Sequence, residues 1–453
     1  MICQKNLKCT VENIFYKIKR NKFPSLFRAG LNSDKDASKV DDDVIHQKLM
    51  TDLLQHQYEH GRHIGDRNIR NKNHNNNIRK NHGNQQHQSN TRAAVVVYLP
   101  RDINFVNQFV TMLYGSWRYV YENRSTLFKN NGGGDINADI NLVDLVVFAE
   151  LDVLNRLPKD CKMFYTTPRA SSPFSRRKDN SMSCLKVEQK YDTPSQYKNL
   201  NSYIMFLRSD ISSILRDYTY VLRTDMDVFL TPNFFAYRPY TQRVVTGVGQ
   251  YCHEFNRHRL KSIAKTHGLK HRGVHCVGSS WYGLTQDIVQ LSKDAYNMSL
   301  YLYDREFQNG LPGLEAIDFR ENPNGKWPEW YRLTATMYGS ELVLNDGVPQ
   351  FSMERNFERF DVPTCNPWPV KQHYQLHAYH TDCEFNKKRF MNTLTEYATG
   401  TSRRRAWIEG ELLRYKEMDF TSSDDIQSMN ATSYSTFIAW RSAAKYLEFR
   451  LKI

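Results

Sequence analysis

At 453 residues the chain is long enough for one large domain or two ordinary ones, and 40% apolar with 13% aromatic content supplies a sizeable core. The net charge of +14 is uneven: residues 1–92 hold 17 Lys/Arg against 9 Asp/Glu, and the rest hold 45 against 39. No clustered basic face with aromatic or helical readers is visible, which argues against a specific nucleic-acid partner.

The charge fits a solvated tail, or attraction to an anionic membrane surface, better than a nucleic-acid footprint. No apolar run approaches the ~20 residues of a membrane-spanning helix. Met1 to Lys8 carries charge with no apolar core behind it, so neither a signal peptide nor an anchor is expected. Residues 55–92 are dominated by Asn, His, Gln, Lys and Arg. Such a segment cannot offset its ordering entropy by apolar burial, so residues 1–92 are expected to be a disordered basic tail.

The folded part is expected to start at Ala93-Ala-Val-Val-Val-Tyr-Leu99, a buried-strand signature closed by Pro100. Ile103 to Tyr121 has helical spacing, and Leu142 to Leu151 reads as a second buried strand. That order predicts a parallel crossover. A helix is expected over about Ser195 to Leu215. It leads into the strand Tyr218-Thr-Tyr-Val-Leu-Arg-Thr-Asp-Met-Asp-Val-Phe, which runs into Asp225 and Asp227 and stops at Pro232-Asn233.

Arg243 to Val248 reads as a short strand, Gly278-Ser-Ser-Trp-Tyr-Gly283 as a loop, and Asp287 to Phe307 as an amphipathic helix. A helical or mixed segment surrounds Tyr338 to Leu344. Residues 401–453 look like an appended helical cap. The pattern is a doubly wound α/β sheet over residues 93–400.

The acidic pair carries the chemistry. Residues two apart on a strand share a face, and open α/β sheets bind ligands at the carboxyl ends of their strands. Adjacent carboxylates repel unless a cation or shared proton relieves them, and a hard divalent ion is the simplest relief. Capping of the next segment is the competing account of the two acids. His377 and His380, with Cys383 and Cys365, also contain ligand types for zinc, although the spacing matches no common finger. Cys252 with Cys276, and Cys365 with Cys383, are reasonable disulfide pairs in an oxidising lumen.

Over roughly residues 93–400, through this acidic motif and its α/β context, the chain resembles the GT-A superfamily of nucleotide-sugar-dependent glycosyltransferases. The resemblance implies a Rossmann-type mixed sheet with helices on both faces. It implies that Asp225 and Asp227 hold Mn²⁺ or Mg²⁺ against the donor diphosphate, with Asp225 also near the donor ribose or sugar. His380 is then the third metal ligand, and His377 the reserve.

Glu341, with Asp346 as fallback, takes the acceptor-side acidic role. A Glu in a first helical turn favouring the dipole explains Glu341 equally well. Tyr98 and Arg101 would contact the nucleotide, and Arg223 the phosphates or the acids. Gly278 would permit close backbone approach, and Trp281 or Tyr282 would stack on a sugar or base. The expected partners are a nucleotide-sugar donor and a glycan or protein acceptor, in the Golgi or secretory pathway; a cytoplasmic location stays open. Alternatives are a non-catalytic nucleotide-sugar-binding protein and, less well supported, an aspartate-based phosphatase. In that phosphatase the acidic motif lies on the first strand.

Overall fold

The computed structural model describes residues 91–128, 141–164, 181–190, 192–239, 244–349, 353–355 (backbone only), 359–379, 382–418, 420 and 423–447. The expectations for the basic tail up to residue 90 and for His380 lie outside these residues. Everything that follows concerns the compact unit that begins at His87.

Thirteen strands occur among the described residues, in three sheets. They are β1 (Arg92–Tyr98), β2 (Leu142–Ala149), β3 (Lys162–Met163), β4 (Cys184–Glu188), β5 (Tyr220–Arg223), β6 (Val228–Leu230) and β7 (Val244–Val248), followed by β8 (Val277–Leu284), β9 (Gly325–Lys326), β10 (Trp330–Tyr331), β11 (Met353–Arg355), β12 (Val362–Pro363) and β13 (Gln375–His377). The main sheet has the order β11-β7-β8-β5-β1-β2-β4-β3. Only β8 runs against the others: it is antiparallel to β5 and β7, and every other neighbouring pair is parallel. A second sheet, β12-β13-β6, is the one that completes the site, and β9 and β10 form a short ribbon.

The eight longer helices are α1 (Ile103–Thr111), α2 (Leu113–Leu127), α3 (Glu254–Thr266), α4 (Thr285–Arg305), α5 (Ala335–Gly347), α6 (Lys387–Thr399), α7 (Ser402–Glu417) and α8 (Ala431–Ser442). The period-2 geometry of β1 sorts them into two layers. Ala93, Val95 and Val97 pack with side chains of α1, α2, α6, α7 and α8. Ala94, Val96 and Tyr98 face the opposite core, which α3, α4 and α5 close. Parallel strands buried on both faces read as continuous apolar runs, which is how β1 and β2 appear in the sequence. The fold is therefore mixed α/β with a mostly parallel sheet and helices on both faces.

Several elements differ from the sequence expectation. The helix expected over about Ser195 to Leu215 is a chain of short turns and one-turn helices. It breaks at Arg208, which is extended; its guanidinium donates to Asp210 and to the Glu188 carbonyl, pinning the chain to the end of β4. The segment Gly278–Gly283, expected as a loop, is the body of β8. The C-terminal helices are built into the core: Ile408, Leu412, Phe437 and Ile438 are buried with β1, and the Tyr434 hydroxyl donates to the Leu230 carbonyl at 2.7 Å. Among the described residues no helix is long and apolar enough to cross a membrane.

Candidate functional site

Strand order reverses beside β1: the chain builds outward through β2 and β4, then returns to place β5 on the other side. The crevice beyond the carboxyl ends of β1 and β5 is the switch point where such sheets bind ligands. The acids lie there, although not on the strand itself. β5 ends at Arg223, and residues 224–227 bend before β6 starts at Val228. The bend, rather than strand alternation, brings Asp225 and Asp227 together.

Register supplies the rest. β13 pairs antiparallel with β6, setting His377 opposite Val228, the residue after Asp227. The Ala378 amide donates to the Asp227 carbonyl at 3.0 Å, locking this alignment. The ligand atoms of Asp225, Asp227 and His377 all lie within 4.8 Å of one another. Two carboxylates and an imidazole so placed can hold a divalent ion. Asp225 is half-buried, and among the described residues no hydrogen bond or ion pair engages it. Asp227 is buried; His377 Nε2 sits 3.4 Å from its Oδ1, and the Lys387 ammonium donates to its Oδ2.

The electrostatics follow from burial and pairing. Burial alone would raise the Asp227 carboxyl, but His377 and Lys387 outweigh it and hold that carboxyl far below the usual carboxylate range. Burial would lower His377, yet the Asp227 and Asp361 carboxylates raise it to about 10. A lysine and an imidazolium thus offset the buried Asp227 charge.

The other sequence candidates are distributed around this centre. Arg223 is buried; its guanidinium lies 4.2 Å from the Tyr203 ring and 5.2 Å from Trp281, and it donates to the Ser279 carbonyl and Ser202 Oγ. Trp281 is fully enclosed, with Nε1 donating to the Gly278 carbonyl at 3.0 Å, so it presents no ring to a ligand. Tyr282 is equally buried. Tyr98, at the end of β1, donates to Asp192 at 3.0 Å. Arg101 is exposed and pairs with Glu150 and Asp152. Gly278 does permit a close approach, but of Asp361: a Cβ there would lie 2.2 Å from the Asp361 carboxylate.

Glu341 is buried in α5, away from solvent. Its Oε1 is met by His271 Nε2 at 3.1 Å and His275 Nδ1 at 2.7 Å, while Oε2 accepts from Tyr251 Oη at 2.9 Å and the Cys276 amide at 2.6 Å. Both oxygens are committed. His271, His275 and Glu341 form a second group with metal-ligand side chains in reach of one another. Their hydrogen bonds oppose a metal. The Gly273 amide donates to His271 Nδ1, so Nε2 of that neutral ring carries the proton and gives it to Glu341. Asp346 accepts from the Lys270 amide at 2.9 Å, tying the same loop to α5.

Cys252–Cys276 and Cys365–Cys383 are disulfides, as is Cys161–Cys184. The Cys365–Cys383 bond removes the two thiolates that a zinc site with His377 would need.

Sequence reasoning missed Lys387 and Asp361. For Lys387 a signal existed: a lysine at the first position of a helix opposes the dipole unless its charge is used elsewhere. Asp361, between Phe360 and Val362, offered none.

The sequence matches the family described as Domain of unknown function (DUF7164) over residues 87–452, and the chain belongs to that family. No curated protein matches it.

Proposed function

We propose that this protein is a metal-dependent glycosyltransferase of the GT-A type, moving a sugar from a nucleotide-sugar donor to a hydroxyl of a glycan or protein. The observation that carries the reading is the convergence of Asp225, Asp227 and His377 within 4.8 Å at the switch point of a mostly parallel sheet. His377 takes the ligand role that the resemblance gave first to His380. The carboxylates suit Mg²⁺ or Mn²⁺, and the imidazole favours the transition ion.

When bound, such an ion stabilises the charge that develops on a departing nucleoside diphosphate. The chain's own groups prepare for that. Asp225, uncommitted and half-buried, is the ligand open to the crevice. Lys387 neutralises the buried Asp227 carboxylate, a role that a divalent ion held by Asp225, Asp227 and His377 would share. Arg223, two residues before Asp225 and held over the Tyr203 ring, adds fixed positive potential without leaving the core. Glu341 has no free oxygen for an acceptor, so deprotonation of the acceptor belongs to another group. The three disulfides fit an oxidising compartment such as the secretory pathway.

The Lys387–Asp227 pair favours one alternative, a protein that keeps the fold but balances its acids with lysine and binds donor without turnover. A panel of UDP- and GDP-sugars, assayed for Mn²⁺-dependent hydrolysis and for thermal shift, separates the two. Turnover that is lost in Asp225→Ala supports the transferase. A thermal shift without turnover supports the binder, and neither response with any metal rejects both.

A further inference from the structure

Asp361 is a carboxylate built into the molecule at a cost. Its backbone has φ of 52°, a left-handed conformation unfavourable for most residues with a side chain. Two glycines, one on each of two neighbouring strands, make room for it. A Cβ at Gly247 on β7 would lie 2.0 Å from its Oδ2, and one at Gly278 on β8 would lie 2.2 Å away. Its side chain is wholly shielded from solvent. A buried carboxylate needs several donors, and it has them: the Ser280 amide at 3.0 Å on Oδ2, Ser280 Oγ at 2.7 Å on Oδ1, and Ser279 Oγ at 3.5 Å. The Asp361 backbone is held as well. Its amide donates to Gln375 Oε1 at 3.1 Å, and its carbonyl accepts from Tyr379 Oη at 2.9 Å.

Among the described residues this carboxylate also meets His377 Nδ1, 3.0 Å from Oδ1. The group of ligand atoms that could hold an ion is Asp225, Asp227 and His377, without Asp361. An acceptor fixed at Nδ1 requires that nitrogen to carry a proton, which leaves Nε2 to face Asp227. A metal-ligating histidine behaves the same way: its far nitrogen donates to a carboxylate, which fixes tautomer and ring plane and raises ligand basicity. Tyr379 stacks on the ring at 4.2 Å between centroids and so restrains its other degree of freedom.

We infer that Asp361 is the positioning residue of the metal site, holding His377 as an Nε2 ligand through the Nδ1 hydrogen bond. This rests on the metal-centre reading above. It also accounts for the room left at Gly247 and Gly278 and for the two donors of Ser280.

Asp361→Asn tests the inference, because asparagine is isosteric and tolerates the left-handed backbone. Its Oδ can keep the Ser280 amide, and its Nδ2 then faces His377 Nδ1, which must become an acceptor. The expected result is a folded protein whose Mn²⁺ affinity, read by electron paramagnetic resonance of the free ion, falls 10- to 100-fold. In Mg²⁺-loaded protein the His377 Nδ1–H proton signal, present in the unsubstituted chain, disappears. Ser280→Ala, which removes one donor to Oδ1, gives a smaller loss of affinity and serves if the asparagine variant does not fold. Unchanged Mn²⁺ affinity in a folded variant, or no Nδ1–H signal in the unsubstituted chain, overturns the positioning role. No Mn²⁺ or Mg²⁺ binding by the unsubstituted protein would instead reject the metal reading on which it stands.

Discussion

The Lys387 ammonium donates to Oδ2 of Asp227, closing a buried ion pair across 160 residues of sequence. Breaking such a pair from one side is costly, about 3–5 kcal/mol, because the partner charge stays buried and uncompensated. The same contact occupies an oxygen that a divalent ion would need. Lys387→Met is therefore expected to unfold earlier than the unsubstituted chain without metal and to bind Mn²⁺ more tightly. Added Mn²⁺ should recover much of the lost stability, since a ligand that binds only the folded state stabilises it by mass action. Thermal unfolding with and without Mn²⁺ measures both effects. Equal or weaker Mn²⁺ affinity in the variant would show that the lysine and the ion do not compete.

The two acids should respond differently to removal, although the sequence presents them as equals. Asp227→Ala strands Lys387 in the interior and leaves the His377 imidazolium with Asp361 alone, and is expected to lose several kcal/mol. Asp225 has no partner among the described residues, so Asp225→Ala should stay within about 0.5 kcal/mol of the parent in urea unfolding. Its Mn²⁺-dependent turnover should nonetheless fall by more than the ~10–100-fold typical of residues outside the ligand shell. A large stability loss in Asp225→Ala would mean that the carboxylate has a structural role.

What was legible in the sequence was local. Ala93 to Leu99 and Leu142 to Ala149 announce buried parallel strands because both faces are apolar, and the acidic pair stands out against its turn. The misread elements are those that depend on distant contacts. Gly278 and Gly283 look like loop glycines, yet Gly278 is small because the Asp361 carboxylate sits against it. The segment from Ser195 to Leu215 has helical composition, but the anchoring of Arg208 to Glu188 and Asp210 breaks it. His377 meets Asp227 because the β6–β13 register brings it there, and register between strands some 150 residues apart is not written in spacing.

The disulfide Cys365–Cys383 closes the segment that carries both His377 and the approach to Lys387 at the start of α6. With its ends 18 positions apart in sequence, the bond should contribute about 3 kcal/mol through the unfolded chain. The double substitution Cys365→Ser with Cys383→Ser is expected to lower the unfolding temperature and to weaken Mn²⁺ binding, because β13 and α6 lose their common tether. Undiminished Mn²⁺ affinity in the double variant would confine the bond to a stabilising role.

Glu341 gives a prediction for acid stability that is independent of the metal. Burial would raise its carboxyl, but the hydrogen bonds from His271 and His275 outweigh burial and lower it from the usual 4.5. A carboxyl lowered in the folded state contributes stability that is complete above its unfolded value and is lost as pH falls through the folded value. Stability tied to Glu341 should therefore be constant near neutral pH and decline below about 4.5. In Glu341→Gln the amide NH₂ must face a fixed donor whichever way it is turned, His271 Nε2–H on one side or the Cys276 amide on the other. The variant should lose about 2 kcal/mol at pH 7. Its deficit relative to the parent should then shrink as the parent's carboxylate takes up a proton. Urea unfolding of both proteins from pH 7 to pH 3 reads the difference directly, and a deficit that stays constant across that range would show that the two histidines do not lower this carboxyl.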